Sequence, residues 1–113
     1  MTIREHIKSI QEEVVKGDLL PGRASELLNT LSALIGNIND EIRVRDVTYS
    51  QALLRALEGQ EKANRAKIVA ECGPEYLAKR EARDTKEVAI EMIRSLKFYL
   101  RAKEEEFRVS SNM

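Results

Sequence analysis

One heptad register runs almost unbroken through the middle of this 113-residue chain. Small or apolar residues recur at steps of three and four, which places them on one stripe of a helix. About 47 residues rising 1.5 Å each would form a rod of about 70 Å, which predicts a helix that is long for so short a chain. Arg45 alone violates the stripe, which comprises Ala24, Leu28, Leu31, Ile35, Ile38, Ile42, Arg45, Tyr49, Ala52, Ala56, Gly59, Ala63, Ala66 and Ala70.

A shorter helix is predicted ahead of this one, over residues 2–16. Thr2 and Glu5 have the spacing of a capping box, in which each side chain bonds to the backbone N–H of the other residue. Gly17 and Pro21 end the first helix, since glycine resists helix through entropy and proline through its missing N–H. Its core face would consist of Ile3, Ile7, Ile10 and Val14.

The long stripe predicts a second helix over 23–71, although the β-branched residues of 44–48 leave its continuity open. Cys72, Gly73 and Pro74 predict a turn at 72–74, because glycine commonly follows a helix and proline commonly begins one. A third helix is predicted over 75–108, followed by a disordered tail at 109–113.

The stripe of the third helix changes from small to large residues along the chain: Ala78, Ala82, Thr85, Ala89, Met92, Leu96 and Tyr99. The second helix has the opposite gradient, so 56–70 is expected to face 78–89 in an antiparallel hairpin. The first helix would join the large-residue end. The predicted fold is therefore a single all-α domain, 1–113, in which an antiparallel long helical hairpin and a short N-terminal helix form a three-helix base, with a slender two-helix arm.

Composition limits the function classes. Lys plus Arg equals Asp plus Glu at 19 each, so no net charge steers the chain to nucleic acid or membrane. The sequence shows neither an apolar run of membrane-spanning length nor a signal peptide, which predicts a cytoplasmic protein. The single cysteine, Cys72, and the single histidine, His6, exclude an internal disulfide and a Cys/His zinc site within one chain. Without paired titratable groups in a pocket, we expect no enzyme, no metal and no cofactor.

Two apolar edges lie off the main stripes. The bundle base could cover both of them, but together they exceed what one short helix covers, so a homo-oligomer is predicted. The candidate interface residues are Leu53, Leu54 and Leu57 in the second helix and Ile90, Ile93 and Leu100 in the third.

Basic residues follow one row of the third helix and cluster near its start. Such a line can contact phosphates without reading sequence. The alternative is ordinary ion pairing on helix surfaces, because Glu91 precedes Arg94 by three residues and Glu105 follows Arg101 by four. The candidate nucleic-acid contacts are Lys62, Arg65, Lys67, Arg80, Arg83, Arg94, Lys97 and Arg101.

Residues 62–87 and 87–107 resemble small helical proteins encoded by bacteriophages and prophages of Gram-positive bacteria. More loosely, 24–108 is similar to the UvsY-type recombination mediators, in which a long helix rich in Lys and Arg is followed by a turn and by a helix with an I-x-x-L-K core. Here that core consists of Ile93, Leu96 and Lys97. The aromatic-rich tail of those mediators is missing from this sequence.

The resemblance implies a non-enzymatic phage accessory protein that assists DNA recombination or replication, in the host cytoplasm, by self-association and by contact with single-stranded DNA or a recombinase. An alternative is a phage anti-defence protein that inhibits a host immune complex or sequesters a nucleotide signal. A third hypothesis is a scaffold or assembly adaptor whose function lies in its helical interface.

Overall fold

The computed structural model describes residues 1–59 and 62–111. Within these ranges the chain forms helices and no strand: α1 (Ile3–Val15), α2 (Pro21–Gly59), α3 (Ala63–Glu71) and α4 (Pro74–Ser111). The predicted all-α class is confirmed, as is the hairpin in which α2 packs against α4 with a short N-terminal helix.

Local signals explain the helix ends. Thr2 Oγ1 accepts the Glu5 N–H at 3.1 Å and Glu5 accepts the Thr2 N–H at 3.3 Å, so the predicted capping box begins α1. Gly17 follows α1 with φ of +85°, a conformation that residues with a Cβ avoid. A Cβ at Gly73 would lie 3.3 Å from the Ala70 carbonyl oxygen, so the turn before Pro74 requires a small residue.

The prediction of one helix over 23–71 is wrong, because the structure has two helices there, α2 and α3. α2 stays helical through Gly36 and the β-branched run 44–48 but ends at Gly59. Lys62 then has an extended backbone, with φ −114° and ψ 132°, directly before α3. The stripe nevertheless continues across this break, since Ala66 and Ala70 of α3 are both buried.

Contacts divide the chain into two compact units. Unit 1 is Met1–Gly36 with Glu87–Met113, and contains α1, the first part of α2 and the second part of α4. Ile7 and Ile10 are buried as predicted, whereas Ile3 and Val14 are half-buried. The remaining buried residues of unit 1 are Ala24, Leu27, Leu31, Ala89, Met92 and Leu96. Three helices thus share one core in this unit, as expected of the base.

The second part of α4 extends beyond the core of unit 1. Residues 101–111 remain helical, yet each of them is exposed. The helix therefore includes 109–111, which the sequence places in a disordered tail; residues 112 and 113 of that predicted tail lie outside the described part of the chain. Just before this segment, the Tyr99 hydroxyl donates a hydrogen bond to the Leu19 carbonyl and joins α4 to the connection between α1 and α2.

Unit 2 is Asn37–Lys86 and contains the second part of α2, α3 and the first part of α4. Its buried residues are Ile38, Tyr49, Ala66, Ala70, Ala82 and Thr85. Arg83 pairs with Asp46 at 2.7 Å and Arg55 with Glu75 at 3.7 Å, which shows that α2 and α4 run antiparallel here.

These pairs correct the predicted register of the hairpin. Residues 46–55 of α2 face 75–83 of α4, so 56–70 does not face 78–89 across a two-helix arm. The break after Gly59 lets α3 form a third segment of the unit. A contact of Ala and Gly alone would bury little apolar area, whereas in this unit the large side chain of Tyr49 is buried and its ring contacts that of Tyr76 in α4.

Candidate interaction surfaces

The cations of α3 lie on the surface of unit 2. Lys62 is the N-cap residue of α3, but its side chain makes no capping hydrogen bond. Both Lys62 and Arg65 are exposed. Lys67 lies 3.9 Å from Glu71, one turn later in the same helix. Such an exposed pair contributes little to stability, so these cations remain accessible to a partner.

The two predicted contacts in the first part of α4 already have partners in their own unit. Arg83 donates to Asp46 at 2.7 Å, and the guanidinium of Arg80 lies 6.0 Å from the centre of the Tyr76 ring. The Asp46 pair joins residues 37 positions apart in sequence. We infer that Arg83 holds α4 against α2 and is the least available of the candidate phosphate contacts.

Tyr49 is the centre of a small aromatic and cationic cluster in unit 2. Its ring lies 5.4 Å from that of Tyr76, tilted by 47°, and the Lys79 ammonium lies 4.5 Å from its centre. Burial raises the pKa of the Tyr49 hydroxyl, and the charges of Glu71 and Tyr76 raise it further. The sequence places Tyr49 on the core stripe but gives no sign of the cations around it.

This raised pKa predicts an alkaline loss of stability. Because the fold favours the neutral phenol, the contribution is complete below the ordinary tyrosine pKa of about 10 and declines as the pH rises above it. Urea unfolding between about pH 9 and pH 11 should show a falling unfolding free energy. The unfolding free energy of Tyr49→Phe should fall less steeply over the same range, because this variant lacks the titrating hydroxyl. Equal slopes for the two proteins would contradict the prediction.

A group of exposed cations lies on α4 in unit 1. Arg94 pairs with Glu91 at 2.8 Å, which confirms the spacing noted in the sequence. Glu105 instead pairs with Arg108, at 3.8 Å. Within the described residues, neither Lys97 nor Arg101 forms an ion pair, and both are exposed.

An exposed aromatic ring accompanies these cations. Phe98 is 75% exposed and follows Lys97 directly, three residues before Arg101. Helical spacing places all of these on one side of α4. We call Arg94, Lys97, Phe98 and Arg101 the cationic face. Phe98 is the member that sequence reasoning missed, because an aromatic residue beside Leu96 and Tyr99 looks like part of a core.

The predicted apolar edges are only partly exposed. Leu54 and Leu57 of α2 are 59% and 40% exposed, whereas Leu53 is half-buried. The α4 edge of Ile90, Ile93 and Leu100 is half-buried within unit 1. Exposed apolar residues that the sequence did not single out are Val44, Val47, Ile68, Val69 and Leu77 in unit 2.

An open cavity of about 330 Å³ lies in unit 1 beside the connection between α1 and α2. Arg23 lines this cavity and pairs with Glu13 at 2.6 Å and with Glu26 at 2.9 Å. Arg23 lowers the pKa of the Glu13 carboxyl, chiefly through their hydrogen bond. Because both carboxylates already neutralise Arg23, the cavity lacks a free guanidinium for an anion.

The remaining reactive side chains form no cluster. Cys72 is exposed at the end of α3, and His6 is half-buried in α1. Among the described residues, no three His, Cys, Asp or Glu side chains lie close enough together to hold a metal ion. Over the same residues, no helix is both long and apolar enough to cross a membrane.

No protein-family model matches this sequence, and no curated protein or solved structure matches it either.

Proposed function

We propose that this protein is a non-enzymatic phage accessory protein that assists DNA recombination or replication through self-association and contact with single-stranded DNA or a recombinase. The cationic face of unit 1 is the observation that supports it. Lys97 and Arg101 are exposed without ion pairs among the described residues, and Phe98 lies beside them. Phosphates attract the cations, and a base can stack on the exposed ring.

Binding to single strands should be weak, independent of sequence and sensitive to salt. One face supplies few phosphate contacts, and each contact releases counterions whose return at high salt weakens the complex. The exposed ring of Phe98 adds stacking with any base. Double-stranded DNA should bind less well, because its stacked bases cannot reach Phe98.

Replacing Arg94, Lys97 and Arg101 by Glu should abolish binding to a fluorescent single-stranded oligonucleotide at low salt. The matched control replaces Lys62, Arg65 and Lys67 of α3 by Glu, which changes the net charge by the same amount. Fluorescence anisotropy should show much weaker binding for the first variant than for the control. Phe98→Ala should weaken binding by about tenfold, as expected for the loss of one stacked base.

Two results would count against DNA contact through the cationic face. If the wild-type protein binds no single-stranded DNA at low salt, only the recombinase form of the proposal remains. If the α3 control loses binding as fully as the α4 variant, either α3 carries the contact or bulk charge accounts for it. Circular dichroism of both variants should show unchanged helicity, since the substituted side chains are exposed.

The second candidate function is the anti-defence role, inhibition of a host immune complex or sequestration of a nucleotide signal. Unit 2 favours a protein partner, because Arg83 and Arg55 are paired with acids of the same unit while apolar side chains such as Ile68 and Leu77 are exposed. Affinity capture from infected cells, with and without nuclease treatment, separates the two functions. Capture of recombination proteins supports the first, and nuclease-resistant capture of a host defence complex supports the second.

A further inference from the structure

One side of α2 in unit 2 carries large apolar residues that no other described residue of the chain covers. Val44, Val47, Leu54 and Leu57 are 60%, 53%, 59% and 40% exposed. We call these four residues the α2 face. On a helix, Val44, Val47 and Leu54 lie opposite Tyr49, whose side chain is buried in the core of the unit. Leu57, the least exposed of the four, lies at the edge of the same side. Such a concentration of exposed apolar side chains marks an interaction surface.

The arrangement of the α2 face is symmetric about its middle. Val47 and Leu54 lie equally far from the midpoint between Ser50 and Gln51, and so do Val44 and Leu57. A two-fold axis through that midpoint would place Val47 of one copy level with Leu54 of another. This is the property of an isologous interface, in which residue i meets residue j and j meets i. The small side chain of Ser50 allows close approach at the centre.

Charged residues at the two ends of this side follow the same symmetry. Arg43 and Glu58 are equally far from the midpoint, carry opposite charges and are both exposed. An antiparallel arrangement therefore sets Arg43 of each copy level with Glu58 of the other. A parallel arrangement in register would instead put like charges together at both ends. Arg43 has only a distant exposed contact with Asp40 in its own helix, at 3.5 Å, which a partner's carboxylate can replace.

We propose that the α2 face binds the α2 face of a second copy of this chain, with the two α2 helices antiparallel about the midpoint between Ser50 and Gln51. This inference rests on the self-association in the proposed function and names its surface and geometry. One helix face is smaller than the about 800 Å² that each partner buries in a standard interface, so the dimer is weak, with a dissociation constant in the micromolar range.

The test compares two leucines of unit 2 that are equally exposed, Leu54 in α2 and Leu77 in α4, each at 59%. Sedimentation equilibrium of the full chain should give a dimer that Leu54→Glu weakens by about a hundredfold, because each dimer contains the site twice. Leu77→Glu adds the same charge and should leave the dissociation constant unchanged. Circular dichroism checks that both variants keep their helicity.

Charge reversal tests the antiparallel geometry. Arg43→Glu alone and Glu58→Arg alone should each raise the dissociation constant by about tenfold, since each opposes like charges at both ends of the interface. The double variant Arg43→Glu, Glu58→Arg should restore the wild-type value. If the single variants raise the dissociation constant and the double variant does not restore it, the proposed antiparallel geometry is wrong.

The outcomes separate this inference from the proposed function. Dissociation by Leu77→Glu and not by Leu54→Glu would show self-association through another surface, which overturns the inference and leaves the function standing. A wild-type monomer at several hundred micromolar also overturns the inference, while the oligonucleotide measurement independently decides DNA contact. A dimeric wild-type protein that binds no single-stranded DNA at low salt would count against DNA contact alone and leave the inference standing.

Discussion

Leu96→Ala is expected to lower the free energy of unfolding by about 2–5 kcal/mol, the range for emptying a leucine site in a packed core. Leu96 is 1% exposed and belongs to the core of unit 1, where α1, α2 and α4 meet. The truncation removes apolar contacts and leaves a cavity that the surrounding helices fill only in part. Urea unfolding followed by circular dichroism measures the loss.

Phe98→Ala is the matched control, since Phe98 lies two residues further along α4 and is 75% exposed. Although this truncation removes the larger side chain, it should change stability by less than about 0.5 kcal/mol, as surface substitutions do. A large loss from Phe98→Ala, or a small one from Leu96→Ala, would contradict the assignment of the core side of α4.

Ala66→Glu is expected to destabilise unit 2 by about 3 kcal/mol or more, because it places a carboxylate at a buried site without a partner. Ala66 is 0% exposed and lies in the middle of α3. The helix would have to leave its contacts to expose the charge. Faster hydrogen exchange confined to the α3 amides, together with a lower urea midpoint, would be the expected result.

Ala63→Glu provides the comparison within the same helix. Ala63 is exposed at the first position of α3, where a carboxylate favours the helix N-terminus and stands four residues before Lys67. This variant should be as stable as the wild-type protein or slightly more so. Equal urea midpoints for Ala66→Glu and Ala63→Glu would show that α3 does not pack through Ala66.

Local signals in the sequence predicted the start of α1 and the turn between α3 and α4. The capping box of Thr2 and Glu5 and the turn before Pro74 each involve residues at most three positions apart. Residues close together in the sequence therefore determine their geometry. The ion pair of Arg94 with Glu91 is local in the same way. For such features, spacing along one helix is enough.

The break between α2 and α3 could not be predicted from the heptad register. Ala66 and Ala70 continue the stripe in step with Ala52 and Ala56, so the pattern is the same for one long helix and for two shorter ones. In contrast, α2 stays helical through the β-branched residues of 44–48 although Val44 and Val47 are exposed, because β-branching lowers helix propensity only slightly. Gly59, where α2 ends, was one of several positions at which the sequence allowed a break; Gly36 and the run 44–48 were others, and both are helical.

The register between α2 and α4 was wrong for a related reason. Matching small residues to small residues ignored the possibility that α3 becomes a separate segment. The contacts that fix the true register, Arg83 with Asp46 and Arg55 with Glu75, join residues far apart in sequence. The exposure of Phe98 and the cluster around Tyr49 also depend on tertiary packing, so the sequence alone could not identify them.

The end of α4 illustrates how a helix can persist without a core. Residues 101–111 are helical although each is exposed, and the packed part of α4 precedes them. That packed part supplies the helical nucleus, so each added turn requires propagation and no new nucleation. A free peptide of these eleven residues would be mostly coil in water. Because each residue of this segment is exposed, we expect limited proteolysis of the intact chain to begin within 101–111.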